Sequence, residues 1–250
     1  MRGTVIGSAA GSVLDLVFPR TCAACRDDVV ERGVALCEAC AADLALHAAG
    51  EYCRQCARDA GPHLLHDGRC TECISHPRPK LSRIARIGRH RGALRGLVLA
   101  FKHERIHDAL VGDMLSSVWL REFGGANIDV IVPVPTPWLR RWRRGFHPTE
   151  LLARRVSRAA NVPWRSALQM ARRVQPQTGL SATAREQNIK GAFKCRRTSS
   201  TVGRTVCLID DVCTTGATLR EAAATLRDAG AANVVAAVIS RAVLAETPDA

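Results

Sequence analysis

From residue 128 onward, apolar and polar positions alternate between two periods. Residues 128–134, 204–210 and 233–239 are short runs of Val, Ile, Leu and Ala with almost no polar interruption. Such runs read as strands buried on both faces, the habit of parallel sheets. Between them the apolar spacing becomes helical. Residues 149–160 fit a helix, and residues 216–229 place Leu219, Ala223 and Leu226 on one face, with Gly230 as the stop. Upstream, residues 84–89 read as a strand, and residues 92–101 and 106–122 carry helical spacing. Residues 8–18 read as a short helix ended by Pro19. Residues 171–188 lack a clear period and read as a loop. Strand–helix alternation of this kind predicts an α/β domain with a parallel sheet flanked by helices, over residues 81–245.

Residues 19–80 break the pattern. They are poor in large apolar residues and hold eight of the chain's eleven cysteines, as Cys22/Cys25, Cys37/Cys40, Cys53/Cys56 and Cys70/Cys73. Each C-x-x-C turn can aim two thiolates at one tetrahedral ion, and two such turns close a four-sulfur shell. Four pairs therefore predict two structural Zn²⁺ sites in a module spanning residues 1–80. The near-equal gaps leave open whether consecutive or crossed pairs share an ion. The alternative is four disulfides in an exported domain. No secretory signal and no apolar run of about 18 residues is evident, so a cytoplasmic chain without membrane insertion, and metal, is expected. Ferredoxin-type clusters need a tighter three-cysteine run. His47, His63, His66 and His76 lie nearby, but eight cysteines already satisfy two ions.

Charge changes the picture next. The formal net charge is +13, nearly all from arginine. Two filled four-cysteine sites lower it to about +9. Residues 138–173 hold ten arginines against one acid, Glu150. Planar guanidinium groups suit bidentate contacts to phosphate. Trp138 and Trp142 interleave with these arginines, which also fits a single-stranded nucleic-acid surface, where bases stack on aromatics. A second basic stretch covers residues 78–107.

The densest chemistry is the segment VCLIDDVCTTGAT at residues 206–218. An apolar strand delivers Asp210 and Asp211 to the carboxyl end of a parallel sheet, where ligands bind. A Thr/Gly turn follows at a helix N-terminus, which offers N–H groups to an anion. Two acids beside an anion cradle suit a sugar phosphate. The turn holds the phosphate while the acids accept from ribose hydroxyls and favour Mg²⁺. The plainer reading is that the acids cap a helix. Cys207, in mid-strand, reads as core.

This segment resembles the ribose-phosphate signature of type I phosphoribosyltransferases. The resemblance implies that Asp210 and Asp211 contact the 2′ and 3′ hydroxyls of phosphoribosyl pyrophosphate, in a catalytic role. It gives the 5′-phosphate to the loop of Cys213, Thr214, Thr215, Gly216, Ala217 and Thr218. The wider chain resembles the ComF family. The matching elements are the N-terminal cysteine pairs, Phe101-Lys102, DVIVPVP at residues 129–135, and RGF at residues 144–146. They continue with residues 177–180, Arg185 with Asn188, and GAF at residues 191–193. The family often continues RGF with Asn-Gln, where this chain has His147-Pro148.

What the resemblance implies is a type I phosphoribosyltransferase fold behind a small zinc-binding module. The expected activity is Mg²⁺-dependent phosphoribosyl transfer with pyrophosphate release, in a competence or DNA-uptake context. Arg143, Arg144 and Lys102 would contact the pyrophosphate, and residues 171–190 would form a lid over the reaction. The rival expectation is an accessory protein of transformation that binds single-stranded DNA, meets other DNA-uptake proteins and uses the pocket as a ligand sensor. No residue selects an acceptor.

Overall fold

The computed structural model describes residues 21–27, 34–61, 63–77, 80–103, 107–137, 145–175, 181–196 and 201–242. The helix expected at residues 8–18 lies outside them, as do Arg143 and Arg144. The cysteine-rich part holds helix α1 (Glu38–Ala48), a hairpin of β1 (Leu65–His66) and β2 (Arg69–Cys70), and the short α2 (Thr71–Ser75). Then come β3 (Arg83–Arg89), α3 (Gly92–His103), α4 (Asp108–Phe123), β4 (Val130–Pro133), α5 (Pro148–Ala160) and β5 (Leu168–Met170). The chain continues through α6 (Ala182–Ile189), β6 (Phe193–Cys195), β7 (Thr205–Cys213), α7 (Ala217–Asp228) and β8 (Asn233–Arg241).

Four strands form a parallel sheet in the order β3-β8-β7-β4. A single parallel bridge from Ile131 to Trp164 extends its β4 edge. Alternation along the strands sorts the core into two layers. Val206 and Leu208 of β7 and Val234, Ala236 and Val238 of β8 pack with Leu219, Ala223 and Leu226 of α7. Cys207 and Ile209 of β7 and Val235, Ala237 and Ile239 of β8 face α3, α4 and α5. Cys207 is indeed core: its sulfur accepts a hydrogen bond from Trp119 Nε1 at 3.2 Å, and burial pushes its thiol up to about 12. Truncating a fully buried residue here, such as Leu208→Ala, costs about 2–5 kcal/mol.

The loop expected over residues 171–188 is only partly a loop, because α6 occupies its second half. Ser181 caps that helix by accepting from the Ala184 N–H at 3.2 Å. Among its described side chains only Ile189 is buried, so no apolar stripe betrays it in the sequence. Strands β5 and β6 pair antiparallel as a separate two-stranded piece, and at three residues each they are too short to show a period.

The cysteine-rich part is packed against the β3 side of the sheet by specific contacts. Asp43 Oδ2 accepts from the Ala93 N–H at 2.7 Å, satisfying an otherwise open donor at the start of α3. A side chain on Gly96 would meet the Ala24 carbonyl oxygen at 2.2 Å. On the other face, the Ile84 N–H donates to the Arg54 carbonyl at 2.6 Å, and Ala57 joins the α7-side core. Buried Arg86 lies over the Tyr52 ring at 4.7 Å and ion-pairs with Asp59, which also meets Arg89 Nε at 2.8 Å. Among the described residues, no helix is long and apolar enough to cross a membrane.

Candidate functional site

The eight paired cysteines gather as two sets, Cys22/Cys25/Cys37/Cys40 and Cys53/Cys56/Cys70/Cys73. Consecutive pairs therefore share a site, which resolves the ambiguity left by the sequence. Within each set the sulfurs all lie within 4.8 Å of one another. Cys25 and Cys37 Sγ are 3.8 Å apart, as are Cys56 and Cys70 Sγ. A Zn–S bond of about 2.3 Å sets a tetrahedral edge of about 3.8 Å, so both sets fit Zn²⁺.

Backbone donors complete each shell in the same way. Cys37 N–H points at Cys22 Sγ, and Cys70 N–H at Cys53 Sγ, each at 3.3 Å. Burial opposes ionisation of Cys22, but backbone N–H groups outweigh it and bring the thiol down to about 6. A hydrogen bond from Cys56 leads the shift of Cys53 down to about 4. Cys56 moves upward in turn, through its bond to Cys53 and burial, while burial and neighbouring sulfurs raise Cys40. Within each set, then, one sulfur is pushed toward the thiolate while a neighbouring sulfur is pushed toward the thiol. A divalent cation is what permits four thiolates. Four protein ligands leave no position open for catalysis, so these sites are structural.

The second cluster of chemistry lies at the carboxyl end of the sheet. Strand β7 delivers Asp210 and Asp211 there, and its final residue is Cys213. Thr214, Thr215 and Gly216 then turn into α7, and Gly216 takes φ +80° at the helix N-cap. That left-handed conformation favours glycine. Thr215 Oγ1 accepts from the Ala217 N–H at 3.2 Å. Arg220 Nη1 donates to the Thr215 carbonyl at 2.8 Å and pairs with Glu186 on α6. Thr214, Thr215 and Gly216 are half-buried, whereas the side chains of Cys213 and Ala217 belong to the core.

Asp210 and Asp211 differ sharply in setting. Asp210 is 9% exposed, and burial, with the charge of Asp211 next, pushes its carboxyl up to about 8. Its Oδ1 accepts from the Asp211 N–H at 2.8 Å. Asp211 is more open, and its Oδ2 lies 3.0 Å from Lys102 Nζ at the end of α3. A cavity of about 130 Å³ brings Lys102, Asp210, Asp211 and Thr218 together with Pro135, Thr136 and Gln175. It adjoins a cleft of about 520 Å³ bounded by His147, Gln169, Arg172, Arg173 and Arg196, and the two share Pro135, Thr136 and Met170. His147 Nε2 faces the Thr136 N–H at 3.3 Å, so it organises the turn after β4. Of the sequence-predicted residues, Asp210, Asp211, Lys102 and Thr218 line one cavity, whereas Thr215 and Gly216 border a separate small gap with Gln55 and Cys56.

Sequence reasoning missed two groups at this sheet edge. His90, just past β3, holds Nδ1 2.8 Å from Ser240 Oγ. Burial first, then the charges of Lys102 and Arg95, depress its pKa. Arg241 ends β8, is 4% exposed and donates from Nη1 to Cys213 Sγ at 3.3 Å. The available signal was positional: each is a charged or titratable residue at the carboxyl end of an apolar parallel strand.

The model of the double zinc ribbon domain matches residues 13–74, and that of the phosphoribosyl transferase domain matches residues 104–249. The DNA utilization protein YhgH of Escherichia coli strain K12 is 33% identical over 225 residues, covering 88% of this chain and 96% of its own. Competence protein F of Haemophilus influenzae is 28% identical, covering 85% of this chain and 93% of its own. Among solved structures, adenine phosphoribosyltransferase from Saccharomyces cerevisiae matches 57% of this chain and 73% of its own, at 14% identity and a TM-score of 0.39.

Proposed function

Because the chain belongs to the competence protein F family, in which a double zinc ribbon precedes a phosphoribosyl transferase domain, we propose that it binds phosphoribosyl pyrophosphate and transfers its phosphoribosyl group, in the setting of DNA uptake and utilization. The observation that carries this reading is the convergence of Asp210, Asp211, Lys102 and Thr218 on one cavity beside the Gly216 turn. The carboxylates accept from the ribose hydroxyls. The turn and the start of α7 receive the 5′-phosphate, where peptide dipoles favour negative charge. Lys102 exchanges Asp211 for the pyrophosphate, joined by Arg143 and Arg144 from the stretch outside the described residues.

In the transfer, the bond from the anomeric carbon to the pyrophosphate oxygen breaks and its electron pair leaves with pyrophosphate. A bond from the acceptor to the same carbon forms, and the acceptor's proton passes to water or a base. Cationic character builds on the ribose, next to the two acids, and fixed cations stabilise the departing anion. Asp210 and Asp211 would hold Mg²⁺, which would supply further charge neutralisation when bound. The adjoining cleft of about 520 Å³ has the size of a small-molecule site and takes the acceptor.

Asp210 gives the reading a proton signature. With its pKa pushed up to about 8 by burial and the neighbouring Asp211 charge, this carboxyl is mostly protonated at pH 7 in the free protein and half ionised near pH 8. Ligand binding with Mg²⁺ requires it ionised, so binding at pH 7 releases a proton, and affinity rises as pH approaches 8. Calorimetry in buffers of different ionisation enthalpy measures that release. The activity test follows pyrophosphate release from phosphoribosyl pyrophosphate with Mg²⁺ and a panel of bases and amines. Release abolished by Asp210→Asn and Asp211→Asn supports transfer.

A second reading has its own support. Relatives carry DNA-related names, and the ten arginines of residues 138–173 suit a single-strand surface. Ligand binding without turnover, together with salt-sensitive binding of single-stranded DNA, would favour an accessory role with the pocket as a sensor.

A further inference from the structure

Two arginines among the described residues are buried, Arg86 at 2% exposed and Arg241 at 4%. Arginine stays protonated at any working pH, so each carries a full charge out of water. Such a charge is strongly unfavourable unless an anion answers it. Arg86 has its anion in Asp59. Arg241 has none among the described residues. Its Nε has no hydrogen-bond partner, and its Nη1 is spent on a sulfur, that of Cys213.

The fold explains how Arg241 came to lie there. Strand pairing skips Ile87, Ile239 and Asp211, at one level on three adjacent strands. Alternation shifts at that level. Cys207 and Ile209 face α3, but Cys213, two steps on in the same phase, packs with the α7 side. Arg241 stands opposite Cys213 in register and follows its sulfur. The Ala242 N–H then ties the end of β8 to the Cys213 carbonyl at 2.9 Å. A side chain on Gly216 would lie 3.7 Å from that same sulfur. The guanidinium is therefore one sulfur atom beneath the turn that opens α7.

We infer that Arg241 is a positioning residue whose fixed charge is answered by the ligand: a phosphate monoester dianion seated on the Gly216 turn supplies the counter-charge that the described residues lack. This rests on the sugar-phosphate reading of the site and adds the source of its selectivity for the 5′-phosphate. The charge acts through Cys213 and the turn rather than by touching the reacting carbon.

The test uses the full zinc-loaded chain, with ribose 5-phosphate and inorganic pyrophosphate as separate probes in Mg²⁺, titrated by calorimetry. Arg241→Gln should weaken ribose 5-phosphate by about tenfold to a hundredfold, within the range of coupling between linked groups. Pyrophosphate, which sits beyond the acids, should change by less than about threefold, a change of under about 0.7 kcal/mol. The phosphate loses its second proton near pH 6, so wild-type affinity for ribose 5-phosphate should rise through that pH and the variant's should rise less. A merely structural role would leave that profile unmoved. Equal loss for both probes, or an unchanged pH profile, overturns the inference while leaving the sugar-phosphate reading intact. A wild-type chain that binds neither probe overturns both. Should Arg241→Gln fail to retain zinc, Arg241→Lys carries the test, since it keeps the charge. In that variant ribose 5-phosphate affinity should stay within about threefold of wild type and keep its rise through pH 6, and a selective loss of about tenfold or more despite the retained charge overturns the inference.

Discussion

The two zinc ribbons share one chemistry and differ in what they support. Each is built from two C-x-x-C turns, with a backbone N–H aimed at the first sulfur. The first rests on α3, through Asp43 on the Ala93 N–H and Ala24 against Gly96. The second lies on the opposite face of the sheet. Its Gln55 and Cys56 border the same small gap as Thr215 and Gly216, the turn that opens α7. Its Asp59 neutralises Arg86 and Arg89 of β3. Identical metal shells can thus serve different ends: one anchors a helix, and the other lies against the turn that opens α7. A four-cysteine shell does not itself decide which.

The largest effect should separate the ribbons directly. Cys73→Ala and Cys25→Ala should each remove one zinc per chain, measured as metal content. Only the loss at the second site should propagate to the pocket, weakening ribose 5-phosphate by about 5- to 150-fold, the range of a coupling between linked sites. Equal effects from the two variants would erase the distinction.

Next in size, Asp59→Asn should destabilise the chain by about 3–5 kcal/mol in denaturant titration, because Arg86 loses its buried partner. Burial opposes ionisation of Asp59, but hydrogen bonds and charge from Arg86 and then Arg89 prevail and hold its pKa below the usual value. A depressed carboxylate stabilises above its unfolded pKa, and that contribution vanishes as pH falls through the folded value. The variant should therefore lose part of the wild type's acid sensitivity below about pH 4.

The smallest effects belong to the first ribbon. Gly96→Ala should cost about 1–3 kcal/mol by forcing Ala24 away from α3. Asp43→Ala should cost about 1 kcal/mol by opening the Ala93 donor. Both should leave ribose 5-phosphate affinity within about twofold, less than about 0.4 kcal/mol. A larger drop would show that the first ribbon also reaches the pocket.

Much of this was readable before any coordinates, for physical reasons. Buried parallel strands leave long apolar runs, so β4, β7 and β8 stood out. Zinc ligands come in C-x-x-C turns, so all eight cysteines stood out too. Asp210, Asp211 and Thr218 are close in sequence, so their meeting in one cavity follows from the strand–turn–helix pattern. What stayed hidden depends on contacts between distant segments. Helix α6 shows no stripe because, among its described side chains, only Ile189 is buried. The ribbons' different duties rest on Asp43, Asp59 and Gln55, which look like ordinary surface residues in the sequence. Arg241 reads as a strand-ending charge until Cys213 is seen beside it.

The most direct test of the account is a calorimetric titration of the zinc-loaded chain with phosphoribosyl pyrophosphate and Mg²⁺, run beside Asp211→Asn. The account predicts one ligand per chain, with proton release at pH 7, and at least about a tenfold loss in the variant. No heat of binding in the wild type, or equal affinity in the two proteins, would contradict it.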